Sequence, residues 1–544
     1  MRTLIRSGLV VDGTGAPPRQ ADVLIEDGAI RAIGPDPGPA DRVVDATGAY
    51  VLPGFVDMHS HSDLLLLAAG EAGQPSPGDV PKLAQGVTTQ VLGQDGLSAA
   101  PVRRGDEADY AASIMGLDGT IDPHAWAWHA YEEYLDALAP VVATNVVSLV
   151  GHATIRRTVM GMEARTATGA ELEAMSALLD RCLAAGAGGI STGLVYPPAV
   201  YADTAELVAL CTVAARHGKP LFIHVRNEGD AVLTAAAEAL HAAATSGVHL
   251  HYSHIKVAGR DNWAAIDDLL AQIDEAQRRG VAVTSDLHPY VAGSTMCGVL
   301  LPPWVHEGGL EKALARLADP DDRARMREQM LQPGIDWDNW YRFSDGWNGL
   351  YVAGVSVGTK PEIVGRSFAE LLRDAGHDDL ESEAAFGDFF DLLRAERLGI
   401  SIVSFNNCEP NLSRFMAQPY NTIGTDGLVN PGGRPHPRIW GTFPRFFGRY
   451  VRDQGVLGLA EAAVAASARA ADILSLPDRG RLLPGLRGDV VVMEPDVIDL
   501  ATFETPNVAP RGIRHVLVNG DVAVEHGALT GSRAGRVLRL PSTG

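Results

Sequence analysis

The strongest constraint on this chain is an alternation. Between residues 53 and 479, short apolar runs of strand character take turns with longer helical stretches. The candidate strands are Val51–Met58, Thr88–Gly93, Asn145–Val150, Gly189–Val195, Pro220–Val225, Leu250–Ile255, Val281–Leu287 and Asn421–Gly424. Helical stretches such as Ala170–Ala185, Thr204–His217, Ala231–Ala244 and Trp263–Arg279 separate them. Apolar strands joined through helices imply parallel neighbours in one sheet. Eight such units predict an α/β fold, a (β/α)8 TIM-like barrel, over 53–479. Ser401–Phe405 is a ninth strand-like run, expected to be supernumerary. An open doubly wound sheet is the alternative, but it would want a Gly-rich phosphate turn after an early strand, and none is convincing.

The two ends have a different texture. Thr3–Val11, Ala21–Glu26, Ala29–Ile33 and Arg42–Val44 are short strand-like runs broken by turns such as Asp27-Gly28 and Thr47-Gly48. Asp489–Met493, His515–Asn519, Val522–Glu525 and Val537–Leu540 repeat that pattern late in the chain. Neither group can bury both faces alone, so residues 1–52 and 480–544 are expected to share one small β-sandwich. Residues 297–358 interrupt the barrel pattern. They hold Trp304, Trp337, Trp340 and Trp347, half of the eight tryptophans, among many Gly, Pro and Asp. An insertion with its own small core is expected there, placed so that it could serve as a lid.

A formal net charge of −22 argues against nucleic acid or an anionic membrane as the main partner. The four cysteines, Cys182, Cys211, Cys297 and Cys408, show no CxxC and no framework spacing, which fits a reducing cytoplasm. The opening MRTLIRSGLVVDGTG lacks the apolar core of a signal peptide, and no apolar run is long enough to span a membrane. The expectation is a cytoplasmic protein acting on a small molecule, its oligomeric state left open.

Chemistry gathers where strands end. His59 and His61 alternate with Ser60, so on a strand both imidazoles stand on one face and make half of a metal site. Gln94 and Asp95 follow the second strand and His152 the third. His224 follows the fifth, His251, His254 and Lys256 the sixth, and Asp426 the last. A barrel builds its active site at that end of its strands. A single histidine is more often structural, but this set with a terminal aspartate points to a metal-dependent hydrolase. Zn²⁺ favours imidazole and lowers the pKa of a bound water to about 7. Asp426 is the candidate to take that water's proton and pass it on.

Longer stretches carry a family resemblance: GFVDMHSHSD at 54–63, GVTTQVLGQDGLSAAP at 86–101, GISTGLVYPP at 189–198, HVRNEGD at 224–230, SHIKVAG at 253–259, PYVAGST at 289–295, TDG at 425–427 and PHPRIWGTFPRFFGRYVR at 435–452. The chain resembles the amidohydrolase superfamily and, within it, the N-acyl-D-amino-acid deacylases. That resemblance implies one or two divalent metal ions, Zn²⁺ first and Mn²⁺, Fe²⁺ or Co²⁺ as alternatives. It implies His59, His61 and Asp426 at one metal position, and His224 and His254 at the other. Tyr196, Lys256, Tyr290 and Ser294 match positions that bind the substrate's carboxylate and amide. Two residues depart from the family pattern. Asp95 stands where the family has a metal-binding cysteine and is expected to remain a ligand, a harder one. His288 replaces a tyrosine close to the substrate. The implied activity is hydrolysis of an N-acyl D-amino acid. Alternatives are cleavage of a cyclic amide in the manner of hydantoinases and dihydroorotases, acyl transfer or deamination, and a catalytically silent metal-binding homologue.

Overall fold

The computed structural model describes residues 1–541 apart from 72, 120, 123–125 and 429–431. Eight parallel strands organise it: β1 (Phe55–Asp57), β2 (Val87–Leu92), β3 (Asn145–Ser148, resuming at Val150–Gly151), β4 (Ile190–Gly193), β5 (Leu221–His224), β6 (Leu250–Tyr252), β7 (Val283–Leu287) and β8 (Asn421–Ile423). Each pairs with the next in order, β3 pairing with β2 through its first piece and with β4 through its second. Between β8 and β1, Met58 N donates to Ile423 O over 3.3 Å. Just beyond, Ser60-His61 runs parallel to Gly427-Leu428. The parallel run therefore meets itself. All residues of these strands except Thr284 are buried, which is why they read as continuous apolar runs rather than alternating ones.

The stretch read as one strand, Val51–Met58, is two. Tyr50–Pro53 pairs antiparallel with Val490–Met493, whereas Phe55–Asp57 enters the parallel set. Gly54 is the joint, because a Cβ there would lie 2.1 Å from the Thr88 hydroxyl oxygen. The chain ends form one continuous nine-stranded sheet in which Tyr50–Pro53 links the early strands to the late ones. Val23, Ile25 and Val44 share a core with Val490, Val492 and Leu517. Val537–Leu540 does not join that sheet. Its backbone runs beside β3, with Leu538 N donating to Val146 O over 2.8 Å.

The tryptophan-rich segment has its own core, and that core reaches past residue 358. Trp347 packs its ring on Tyr341, Phe386 and Phe389, at centroid distances of 4.7, 5.1 and 4.5 Å. The ninth strand-like run, Ile400–Phe405, lies between Ala292–Met296 and Leu350–Val355 in a separate antiparallel sheet. A buried indole needs neighbours on every side, and those neighbours come from the later sequence. The four cysteines are free thiols. Among the described residues, no helix is long and apolar enough to cross a membrane.

Candidate metal centre

The imidazoles and carboxylates expected at strand ends converge. His59 Nε2 and His61 Nε2 are 3.2 Å apart, and Asp426 Oδ1 lies 3.8 and 3.4 Å from them. His224 Nδ1 is 3.0 Å from His254 Nε2. Asp95 sits between the pairs. Its Oδ1 is 3.6, 3.4 and 3.9 Å from His59, His254 and His224, and its Oδ2 is 3.6 Å from His61. One carboxylate thus addresses four imidazoles.

Two sets of three, His59–His61–Asp426 and His59–Asp95–His254, bring their donor atoms close enough for one cation each. A third such set contains His224, Glu228 and His254. Buried and without hydrogen-bond partners are His224 Nε2 and Asp95 Oδ1. Orphaned polar atoms of that kind are costly unless a ligand satisfies them. The donor set of imidazoles with hard carboxylates suits a divalent ion.

Local backbone strain accompanies the cluster. Asp95, His254 and Asp426 all adopt the left-handed region, with φ of 54°, 34° and 47°. Non-glycine residues held there concentrate at functional sites.

Electrostatics couple the groups. Burial pushes the Asp95 carboxyl up, but His59 and His254 outweigh it and hold the group well below the usual carboxylate range. Asp426 behaves likewise, with Arg438 the chief stabilising charge. Burial would lower His61, yet Asp118, Asp426 and Asp95 raise it well above the ordinary histidine value. His288 is driven the other way by burial and then by Arg438, so its ring is neutral.

Carboxylates stand behind three of the clustered histidines. Asp118 Oδ1 lies 3.1 Å from His61 Nδ1, and Glu228 Oε1 lies 3.2 Å from His254 Nδ1. Asp286 accepts from the His254 backbone N–H at 2.8 Å, with its other oxygen 3.8 Å from His59 Nδ1. Such partners fix ring orientation and tautomer at metal sites.

Two strand-end histidines stand apart. His152 is bonded at both ring nitrogens, to Thr192 and Glu206, and Arg156 also pairs with Glu206. His251 is held between Thr284 and Asp286. Gln94 donates to backbone carbonyls.

The substrate-binding set is less assembled. Tyr196 packs its ring on His224 at 5.5 Å, with its hydroxyl 2.8 Å from Thr295 Oγ1. Lys256 Nζ lies 2.7 Å from Glu228 Oε1 and 2.7 Å from His254 Nδ1. The Tyr290 hydroxyl donates to Asp499 and that of Ser294 to Ile402 O, both inside the protein. Asp118, Glu228, Asp286 and Arg438 were not singled out from the sequence. Glu228 and Arg438 lie inside the quoted HVRNEGD and PHPRIWGTFPR stretches, so a signal existed for them; Asp118 had none.

A family model described as "Amidohydrolase family" matches residues 42–297 and 388–524. The chain belongs to the amidohydrolase family. This amidohydrolase is 36% identical over 539 residues to the N-acyl-D-glutamate deacylase of Alcaligenes xylosoxydans xylosoxydans, covering 98% of this chain and 96% of that one. It is similar to the crystal structure of N-acyl-D-glutamate deacylase from Bordetella bronchiseptica complexed with zinc and a phosphonate inhibitor, a mimic of the reaction's tetrahedral intermediate. The TM-score is 0.80 with 33% identity and 99% of both chains covered. A D-aminoacylase structure concerned with a binuclear metal centre, one-metal activation and second-metal attenuation matches as well. There the TM-score is 0.80 with 34% identity, over 99% of each chain. The stretch that the family model leaves unmatched, 298–387, covers nearly all of the tryptophan-rich segment and runs on to Phe386 of the same core.

Proposed function

We propose that this amidohydrolase is a divalent-metal-dependent deacylase that cleaves the amide of an N-acyl-D-amino acid. The observation that carries the reading is the convergence of His59, His61, Asp95, His224, His254 and Asp426 on one another, with buried donor atoms left unpartnered. The deacylases named above, similar over nearly the whole chain, support the substrate class. We read the eight parallel strands as a (β/α)8 barrel over 53–479, with 1–52 and 480–544 as a small sandwich and the 297–358 region as an insertion. The hydrogen bond between β8 and the end of β1 supports the barrel.

Zn²⁺ is the ion of choice for so many imidazoles. Asp95, a harder ligand than thiolate, widens the choice toward Mn²⁺, Fe²⁺ and Co²⁺. When bound, such an ion polarises a carbonyl and acidifies a water. The residues do the rest. Asp426 turns Oδ1 to His59 and His61 and Oδ2 to Arg438, so it can take a proton on the metal side without rotating. It returns that proton to the departing amine. Asp118, Asp286 and Glu228 keep the imidazoles aimed, and Tyr196 closes one wall beside His224.

Metal-reconstituted protein should release acid from N-acetyl-D-amino acids in preference to their L forms and leave hydantoins intact. Asp426→Asn is expected to lose about 10²–10⁴-fold in kcat, the range for a positioned proton-transfer group. Ring opening of hydantoins, or full activity in the variant, would refute the assignment.

A further inference from the structure

A lid must be free to move, but buried contacts tie the insertion at 297–358 to the loops that carry the metal centre. One loop, 225–231, follows His224 at the end of β5. The other, 253–259, follows β6 and holds His254 and Lys256. The insertion grips both. Asn227 Nδ2 donates to Gly334 O at 2.7 Å and to Trp337 O at 3.1 Å, while Gly334 N donates to Asp230 Oδ2 at 2.8 Å. Glu228 N donates to Asp338 Oδ1 at 3.0 Å. Phe343 lies against Gly229 and Gly259, where an added Cβ would come within 2.8 and 2.6 Å of its side chain. One glycine from each loop thus makes room for the same phenylalanine.

The contact at Glu228 leads to the metal centre. Glu228, Asn227 and Asp338 are all buried. The Glu228 carboxylate lies 3.2 Å from His254 Nδ1 and 2.7 Å from Lys256 Nζ, and its backbone carbonyl accepts from Ala258 N at 2.7 Å. On the far side of the same ring, His254 Nε2 is 3.0 Å from His224 Nδ1 and 3.4 Å from Asp95 Oδ1. Glu228 is therefore fixed by the insertion at its N–H, by the second loop at its carbonyl, and by His254 and Lys256 at its carboxylate. A group that orients a metal-site imidazole is only as well placed as the backbone that carries it.

We propose that Asp338 is a positioning residue of the metal centre. By holding the Glu228 N–H it fixes the carboxylate that aims His254, so docking of the insertion and filling of the His224–His254 position form one coupled equilibrium. This rests on the metal-binding part of the reading above and not on the choice of substrate. Residues 334–343 then act as a strut. The coupling is reciprocal: whatever docking adds to ion affinity, the ion adds to docking.

The test combines Zn²⁺ affinity, measured by competition with a chelating dye, with amide hydrogen exchange over 334–343. Asp338→Ala is expected to weaken Zn²⁺ about tenfold or more, the range for losing a partner behind the ligands. Asp338→Asn should bind close to wild type. Burial and Glu228 push the Asp338 carboxyl well above the usual carboxylate range, so an amide that keeps the acceptor oxygen can stand in for it. In a Glu228→Ala background, Asp338→Ala should cost less than about twofold more, because the path runs through Glu228. Beside Asp118→Asn, which acts on His61, it should keep its full effect. In wild-type protein Zn²⁺ should slow exchange over 334–343 about tenfold or more. The inference falls if Asp338→Ala binds Zn²⁺ like wild type, if Asp338→Asn is as weak as Asp338→Ala, if the loss persists in full without Glu228, or if Zn²⁺ leaves exchange over 334–343 unchanged. The exchange measurement needs no variant, so it decides even where Asp338→Ala fails to fold. Wild-type protein that binds no Zn²⁺ would overturn the metal-centre reading and this inference with it. Zn²⁺ binding without turnover of any N-acyl-D-amino acid would sink the deacylase reading and leave the strut intact.

Discussion

Asp118 shows how a single side chain can matter without touching a substrate. It is fully buried, and its carboxylate has one visible task, orienting the His61 ring. Asp118→Asn should lower metal affinity by about 10–100-fold, the usual penalty for losing such a partner. Equilibrium dialysis would show it, and unchanged metal uptake would count against the assignment. Protons follow from the same charges. Despite burial, neighbouring carboxylates raise His59, His61 and His254 above their ordinary values, His254 to about 10. Without metal His61 and His254 hold an added proton at neutral pH, and a cation must displace it. Metal loading in weakly buffered solution at pH 7–8 is therefore expected to release protons, and apparent affinity should rise with pH toward 10. Affinity that is flat over that interval would contradict it. The clustered histidines were legible in the sequence because HxH spacing and strand-end position are local signals. Asp118 was not, since 57 residues separate it from His61 and only the fold brings them together.

At the level of elements, a buried clamp joins the first and last parallel strands. Lys82 Nζ is 2.6 Å from Asp57 Oδ2 and 2.6 Å from Thr425 Oγ1, and Asp57 Oδ1 accepts from Thr425 N at 2.7 Å. Asp57 ends β1 two residues before His59, and Thr425 immediately precedes Asp426, so the clamp sets the spacing of His59 and Asp426. Replacing Lys82 by Met leaves a buried carboxylate uncompensated and should cost about 3–5 kcal/mol, read from denaturant unfolding. A loss within the scatter of surface substitutions would show that the clamp is dispensable. Trp347 plays the comparable part in the tryptophan-rich segment, where it is 2% exposed amid aromatic rings. Trp347→Ala should cost about 3–5 kcal/mol while the metal content of the folded protein stays unchanged. Element positions were readable from apolar runs and helical stretches. Their exact partners were not: Val51–Met58 looked unbroken because apolar residues continue through Gly54, and only the crowding by Thr88 reveals a joint. The tryptophan-rich segment was visible from composition, but its far boundary depended on phenylalanines whose role the sequence did not advertise.

Across the whole molecule, the parallel set and the sheet of chain ends are bound to each other through Gly54 and through the late backbone beside β3. Tyr50–Pro53 finds its antiparallel neighbour in Val490–Met493, more than four hundred positions later. A chain emerging from the ribosome N-terminus first must therefore carry that edge, with Val51 and Leu52 on it, uncovered until residues 490–493 have been made. Synthesis must pass residue 493 before this part of the architecture can close. An unpaired strand awaiting a distant complement is an invitation to the wrong neighbour, so crowded expression, rather than the finished protein, is where this molecule is most exposed to aggregation.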